Sequence, residues 1–189
     1  MTIDAPGFAD PVADSQSCFR DVLDATARPG TIGTVAAPAS PPAPLDRATA
    51  AVLLTLVDVD TKLWIGPALA AAWPWIGFHC GAPAAPLAEA AFVLGLGTVD
   101  WSAVAAGSDD GPEDGATVVL QVDSLHGGPP LVLEGPGLAA PVPFHATLPP
   151  GFAAVWAGNR ARFPRGFDVI LCAGDQLAAL PRTLTVREG

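Results

Sequence analysis

Apolar positions along this chain come in short blocks, and most blocks keep either the period of a helix or that of a strand. In "PVADSQSCFRDVLDATA" the residues Phe19, Val22, Leu23, Thr26 and Ala27 return at the spacing of one helix face, while Arg20, Asp21 and Asp24 turn outward. Asp10-Pro11 supplies a capping side chain and a residue preset for the first turn, with Asp14 or Ser15 as a second capping choice. Arg28-Pro29-Gly30 ends the helix, because the residue before proline avoids the helical region and glycine carries the chain round. "TIGTV" then reads as a short strand and "APASPPAPL" (residues 37–45) as an extended connection. Asp46 caps "RATAAVLLTLV", so apolar all round that it must be buried on most sides. In "KLWIG", Lys62 and Trp64 alternate with Leu63 and Ile65 in strand fashion. A short helix at "PALAAAW", a strand at "WIGFHC" and a strand in the second half of "LAEAAFVLG" follow.

The second half of the chain opens with the acidic loop "GSDDGPEDG". Beyond it, "ATVVLQVDSL" and "PLVLEG" flank the turn residues "HGGP", which predicts a β-hairpin. "PPGFAAVWAGNRA" is a helix opened by Pro149-Pro150, "GFDVILCAG" a buried strand and "TLTVRE" a last one. Helices mixed with hairpin and crossover connections predict a single α/β domain over residues 1–189, built in three layers on a mixed β-sheet.

Composition narrows the partners. The 189 residues carry 19 acidic and 9 basic side chains, a net charge of -10 that opposes nucleic-acid phosphates and anionic lipid. Neither nucleic acid nor membrane is an expected partner, and an anionic ligand would have to be met by a local cluster of arginines. No charged residue stands between Lys62 and Glu89, but Pro67, Pro74, Pro83 and Pro86 cut that stretch into pieces too short to span a bilayer. It reads as core. "MTIDAPGFAD" has no basic region and no apolar run, so no secretory signal is expected and the cytoplasm is the expected compartment. Cys18, Cys80 and Cys172, odd in number and set among apolar neighbours, read as reduced core thiols.

Familiar catalytic motifs are mostly missing. The lone lysine, Lys62, follows no glycine loop, so a P-loop is absent. "GLGTVD" lacks the third glycine of a dinucleotide turn, and Pro136 removes a donor from "EGPG". His79 and Cys80 sit side by side on a predicted strand and so point to opposite faces, with no further ligand at metal spacing. His126 and His145 lie in turn-like sequence and read as exposed. Glu113 and Asp114 are paired carboxylates in a solvated loop, and the tryptophans at 64, 73, 75, 101 and 156 are too dispersed for a stacking platform. The late arginines make a better case. "FPRGFD" brings Arg165 and Asp168 to the start of a buried strand, and "LPRT" brings Arg182 to the start of the last one. Strand ends present ligand and partner sites, and guanidinium binds carboxylate or phosphate in bidentate fashion. An Arg182–Asp168 ion pair that ties two strand ends together is the alternative.

Taken in order, "FADPVADSQSCFRDVLDATARPG", "AVLLTLVDVDTKLWIG", "FHCGAP", "PEDGATVVLQVDSLHGGPPLVLEGPGL" and "FPRGFDVILCAGDQLAALPRTLTV" resemble the PhnH subunit family of the bacterial carbon-phosphorus lyase system. The likeness fades around residues 97–110 and 138–150. It implies a fold similar to that of the pyridoxal-phosphate-dependent transferases, without the cofactor. The lone lysine agrees, since an internal aldimine requires one and Lys62 reads as a solvated edge residue. The resemblance further implies a cytoplasmic homodimer that joins PhnG, PhnI and PhnJ subunits in a core complex. With PhnL, that complex couples ATP to an alkylphosphonate to give a ribose 1-phosphonate 5-triphosphate. The carbon-phosphorus bond is broken later by a radical enzyme. On this reading the chain is an accessory, non-catalytic subunit without cofactor or metal, and Arg182, Asp168, Arg165, His79 and Glu113 are its candidate binding or partner-contact residues. The competing reading is an enzyme in its own right, with Arg182, Arg165 and His79 lining a phosphonate or nucleotide pocket.

Overall fold

A computed structural model describes residues 5–36, 40–97 and 99–189. The amino-terminal residues 1–4, residues 37–39 of the proline-rich connection and Thr98 of "GLGTVD" lie outside the described residues, and so do the expectations that rest on them.

Four α-helices are seen among the described residues: α1 (Pro11–Ala27), α2 (Arg47–Leu56), α3 (Trp73–Cys80) and α4 (Phe152–Arg160). The strands are β1 (Gly33–Thr34), β2 (Leu63–Ile65), β3 (Phe92–Leu96), β4 (Thr117–Gln121), β5 (Pro130–Glu134), β6 (Val142–His145), β7 (Asp168–Ala173), β8 (Gln176–Leu180) and β9 (Thr185–Glu188). A six-stranded sheet runs in the order β1-β8-β7-β4-β3-β2, and a three-stranded antiparallel sheet in the order β6-β5-β9. In the larger sheet β2, β3, β4 and β7 are parallel neighbours, and β8 alone runs against the rest. The expected single α/β domain on a mixed sheet is therefore what forms.

The layers follow from strand alternation. Leu94, Val119, Ile170, Cys172, Leu177 and Ala179 point into a core shared with α1, α2 and α3. Their neighbours Val93, Val118, Leu120, Leu171, Ala178 and Leu180 point to the other side, where α4 and the small sheet cover them. Both faces are covered, so the strands are near-continuous apolar runs. Successive parallel strands step the same way across the sheet. The β2–β3 connection through α3 crosses the first face, whereas the β4–β7 connection through β5, β6 and α4 crosses the second. On leaving α3, however, the chain first runs parallel to β2 along its outer edge, with Ala84 bridged to Leu63. So α3 spans an outward step on one face while β5, β6 and α4 span an inward step on the other, and the two crossovers have the same hand.

Several expectations are corrected. "WIGFHC" is helix, not strand: Pro74 sits in the first turn of α3, and Gly81, in the left-handed conformation at φ 69°, closes it. The predicted hairpin does not exist. β4 is buried on both faces between β3 and β7, while β5 leaves for the other sheet to pair β6 and β9. β8 separates β7 from the chain's end, so β9 is not β7's neighbour, and Arg182 stands in the β8–β9 connection rather than at a strand start. The short helix expected at "PALAAAW" does form, as a 3-10 helix over Pro67–Ala72.

α1 is capped as expected: the Asp10 side chain accepts from the backbone of Val12 and Ala13. Its inward face, however, is Cys18, Val22 and Ala25, while Phe19 and Leu23 are 46% and 51% exposed. Small residues face inward because α1 lies against α2, whose residues Ala48 to Leu53 are all buried. Among the described residues, no helix is long and apolar enough to cross a membrane.

Candidate functional site

Four of the five candidate residues meet at one corner, below the amino-terminal ends of the parallel strands. Asp168 opens β7 beside Thr117 of β4. Its Oδ1 accepts the backbone N–H of Arg182 at 2.7 Å, and its Oδ2 accepts from Arg182 Nε at 3.0 Å and Nη2 at 2.6 Å. The same guanidinium donates through Nη1 to the carbonyl of Pro112 at 2.6 Å and through Nη2 towards that of Gly115 at 3.5 Å. Pro112 and Glu113 belong to a single 3-10 turn, Pro112–Asp114, so Arg182 pins the acidic loop that carries Glu113. Arg165 pairs with Asp109 of the same loop at 3.1 Å. Packing here is tight. A Cβ on Gly115 would lie 2.0 Å from the Gly166 carbonyl and 2.6 Å from Arg182 Nη1, so glycine is required.

This arrangement binds chain to chain. The Arg182 side chain is only 13% exposed and Asp168 33%, and the guanidinium spends its donors on one carboxylate and two carbonyls of its own chain. Glu113 is exposed on the outside of the pinned turn. Of the two readings for Arg182 and Asp168, the ion pair between strand ends is the one that forms, with the β8–β9 connection in place of the second strand.

His79 is not part of this corner. It stands in the last turn of α3, where its Nε2 lies 3.1 Å from the carbonyl of Ala5, an acceptor shared with Trp75 Nε1 at 2.8 Å. The two rings hold the amino-terminal segment against α3. Lys62 is exposed, with Nζ 3.3 Å from Glu89. His126 and His145 are exposed, as expected.

The three cysteines are buried and free. Burial raises all three thiols, Cys80 to about 11, with the Asp58 carboxylate adding to the rise. The folded Cys80 thiol keeps its proton where the unfolded one, near 9.0, releases it. Its contribution to stability is full below pH 9 and is lost as pH rises through 11. The native chain is expected to react negligibly with a disulfide-exchange reagent at neutral pH and to release three thiols once unfolded. Rapid labelling of the folded protein would contradict this placement.

At the carboxyl ends of β3 and β4, where open α/β sheets bind ligands, a cavity of about 290 Å³ is lined by Leu96, Gly97, Gln121, Asp123, Thr147 and Pro149, with others. Its polar groups are largely committed. The Gln121 amide accepts from Asp46 N and donates to the Pro44 carbonyl, both at 2.8 Å, and the Thr147 hydroxyl is held by Ser124. Asp123 is exposed and acidic, a poor match for an anion. Among the described residues no group of three or more His, Cys, Asp or Glu side chains is placed to hold a metal.

Sequence reasoning missed Asn159 and Arg160 of α4. Asn159 is buried and pairs with both backbone groups of Phe167, its Nδ2 donating to the carbonyl at 2.8 Å and its Oδ1 accepting the N–H at 3.0 Å. Arg160 stands over the ring of Phe163. The signal was there to read: "NRARFPR" sets three arginines within six residues of an otherwise acidic chain.

Comparison with known proteins agrees with this chain-wide pattern. The family model described as bacterial phosphonate metabolism protein (PhnH) matches residues 6–187. The alpha-D-ribose 1-methylphosphonate 5-triphosphate synthase subunit PhnH of Rhizobium meliloti (strain 1021) is 43% identical over 183 residues, covering 93% of this chain and 92% of the relative. The protein HtxG of Stutzerimonas stutzeri, a C-P lyase subunit by name, is 33% identical over 171 residues, 89% of this chain and 83% of its own.

Proposed function

We propose that this chain, which belongs to the PhnH family of bacterial phosphonate metabolism proteins, is an accessory, non-catalytic subunit of the carbon-phosphorus lyase assembly. It serves the ATP-dependent formation of a ribose 1-alkylphosphonate 5-triphosphate. The observation that carries the reading is the 43% identity, end to end, with a protein named as a subunit of the ribose 1-methylphosphonate 5-triphosphate synthase. The corner built by Arg182 is consistent with it, because its donors are spent inside the chain. The rival reading, a pocket lined by Arg182, Arg165 and His79, loses its basis, since His79 lies in the helical layer and the two arginines hold the acidic loop.

The partners in this reading are a second copy of the chain and subunits of the PhnG, PhnI and PhnJ type, met in the cytoplasm. Exposed apolar side chains support such assembly: Val12, Phe19 and Leu23 follow one another along the outward side of α1, and Phe78 stands out from α3. Co-expression with the PhnG- and PhnI-type subunits is expected to give one co-purifying complex, whose synthase activity collapses when this chain is left out. Full activity without it would defeat the proposal. The isolated chain is expected to sediment as a dimer.

The same reading takes the mixed sheet, with β8 alone reversed, as a cofactor-free version of the pyridoxal-phosphate transferase fold. What supports it is the setting of Lys62, at the head of an edge strand and turned to Glu89. The purified protein is expected to stay colourless with pyridoxal phosphate, and Lys62→Ala to leave the melt and complex formation unchanged. An aldimine absorbance band lost in that variant would refute it.

A further inference from the structure

Arg160 closes the last turn of α4, where a cation complements the exposed carbonyls of a helix end. Among the described residues, Arg28, Arg165, Arg182 and Arg187 each pair with a carboxylate. Arg160 does not, although it is half-buried; Arg20, Arg47 and Arg162, also without such a pair, are exposed. The Arg160 Nε is buried with no hydrogen-bond partner, and its guanidinium carbon lies 4.9 Å from the Phe163 ring centroid. A half-buried charge with an orphan donor is costly unless something outside the chain completes it.

A cleft lies beside it. Its volume is about 370 Å³, within the range of small-molecule sites. Arg160 and Ala157 of α4 and Thr185 and Arg187 of β9 line it, against Trp156 and Val186. Thr185 and Arg187 are two apart on β9 and so share a face, while Val186 between them and Leu184 before them are buried. Arg187 is held by Glu134, the carboxylate nearest to hand, but both are about half exposed or more. Such a pair is weak, and its guanidinium is free to turn to a better acceptor.

We propose that this cleft binds a small phosphoryl or phosphonyl oxyanion, held between Arg160 and Arg187 with the Thr185 hydroxyl as a further donor. One guanidinium fork from α4 and a second fork with a hydroxyl from β9 offer more donors than a planar carboxylate uses, and a dianion offsets both positive charges. The site is independent of the subunit reading and uses none of the residues of the Arg182 corner.

The test is calorimetric titration of the full chain with inorganic phosphate, with acetate at equal ionic strength as the second arm. Phosphate is expected to bind saturably at one site per chain and to raise the melting temperature, and acetate to do neither. Arg160→Met keeps the packing of the stem and removes the charge. It is expected to weaken phosphate at least about tenfold and, without phosphate, to melt no lower than the parent. Arg162→Met, on an exposed neighbour, leaves binding intact. Phosphate binding retained in Arg160→Met, or acetate bound as well as phosphate, overturns the site. Should Arg160→Met lose stability, Arg187→Gln decides: binding lost upholds the site, binding kept overturns it.

Discussion

Asp168→Ala lowers the melting temperature of this chain by about 6–12 °C, the result of roughly 3 kcal/mol lost from a domain of this size. The substitution strands the Arg182 guanidinium, 13% exposed, against the carbonyls of Pro112 and Gly115 with no counter-charge. It also removes the acceptor of the Arg182 backbone N–H. The figure sits at the low end of the range for broken ion pairs because Asp168 keeps a third of its surface in water. Asp168→Asn retains an acceptor for the backbone and is expected to recover part of the loss. Arg182→Ala releases the acidic loop, so protease cleavage within residues 107–115 rises. Denaturant and thermal melts of the three variants decide the matter. A parent-like melt for Asp168→Ala would show that the corner does not hold the fold, whatever its distances.

The second large effect belongs to Asn159→Ala. The amide stands in for a neighbouring strand by satisfying both the N–H and the carbonyl of Phe167, in a region where Phe167 is packed between Trp101 and Trp156. Alanine leaves two buried backbone groups unpaired at about 1–3 kcal/mol each, which places the variant close to the limit of stable folding. Asn159→Asp is nearly as harmful, since it keeps the acceptor for the N–H and sets a carboxylate against the Phe167 carbonyl. Near-ultraviolet circular dichroism reads the loss directly through the surrounding tryptophans. Native spectra and melts in both variants would mean that water replaces the amide.

The parts of this molecule that were legible in the sequence are those fixed by local chemistry. α1 could be bounded from Asp10 and from Arg28-Pro29, because a cap and a proline act within a few residues. α2 could be recognised as buried because its apolar positions leave no polar face. What failed depended on partners far along the chain. Phe19 and Leu23 are the larger apolar residues of α1, yet Cys18, Val22 and Ala25 go inward because α2 comes close, which no local pattern records. Glycines between two β-branched runs suggest a hairpin, but β4 pairs β7, whose sequence lies about fifty residues away. The Asp168–Arg182 pair was legible because both residues sit beside strand ends. The hold of Arg182 on Pro112 was not, because a backbone carbonyl leaves no mark in the sequence. His79 was misplaced for a related reason: "WIGFHC" reads as a strand until Pro74 and Gly81 are seen as the two ends of one helix.

The strand order also bears on how the chain is made. β1, early in the sequence, pairs β8, late in it, and α1 packs on β8. The Val35 N–H finds its acceptor on Asp175, the Ala48 N–H on Gly174, and the Gly174 N–H on the Asp46 carboxylate. During synthesis, then, the amino-terminal third emerges from the ribosome long before the strand it needs. Until residues near 180 arrive, the apolar α2 has an incomplete floor and α1 has only α2 to lie against. Closure of the larger sheet is therefore a late, non-local event, of the kind that makes folding slow. An interrupted product ending before β8 exposes its helical layer, which makes it a substrate for chaperones and proteases rather than a smaller version of the subunit.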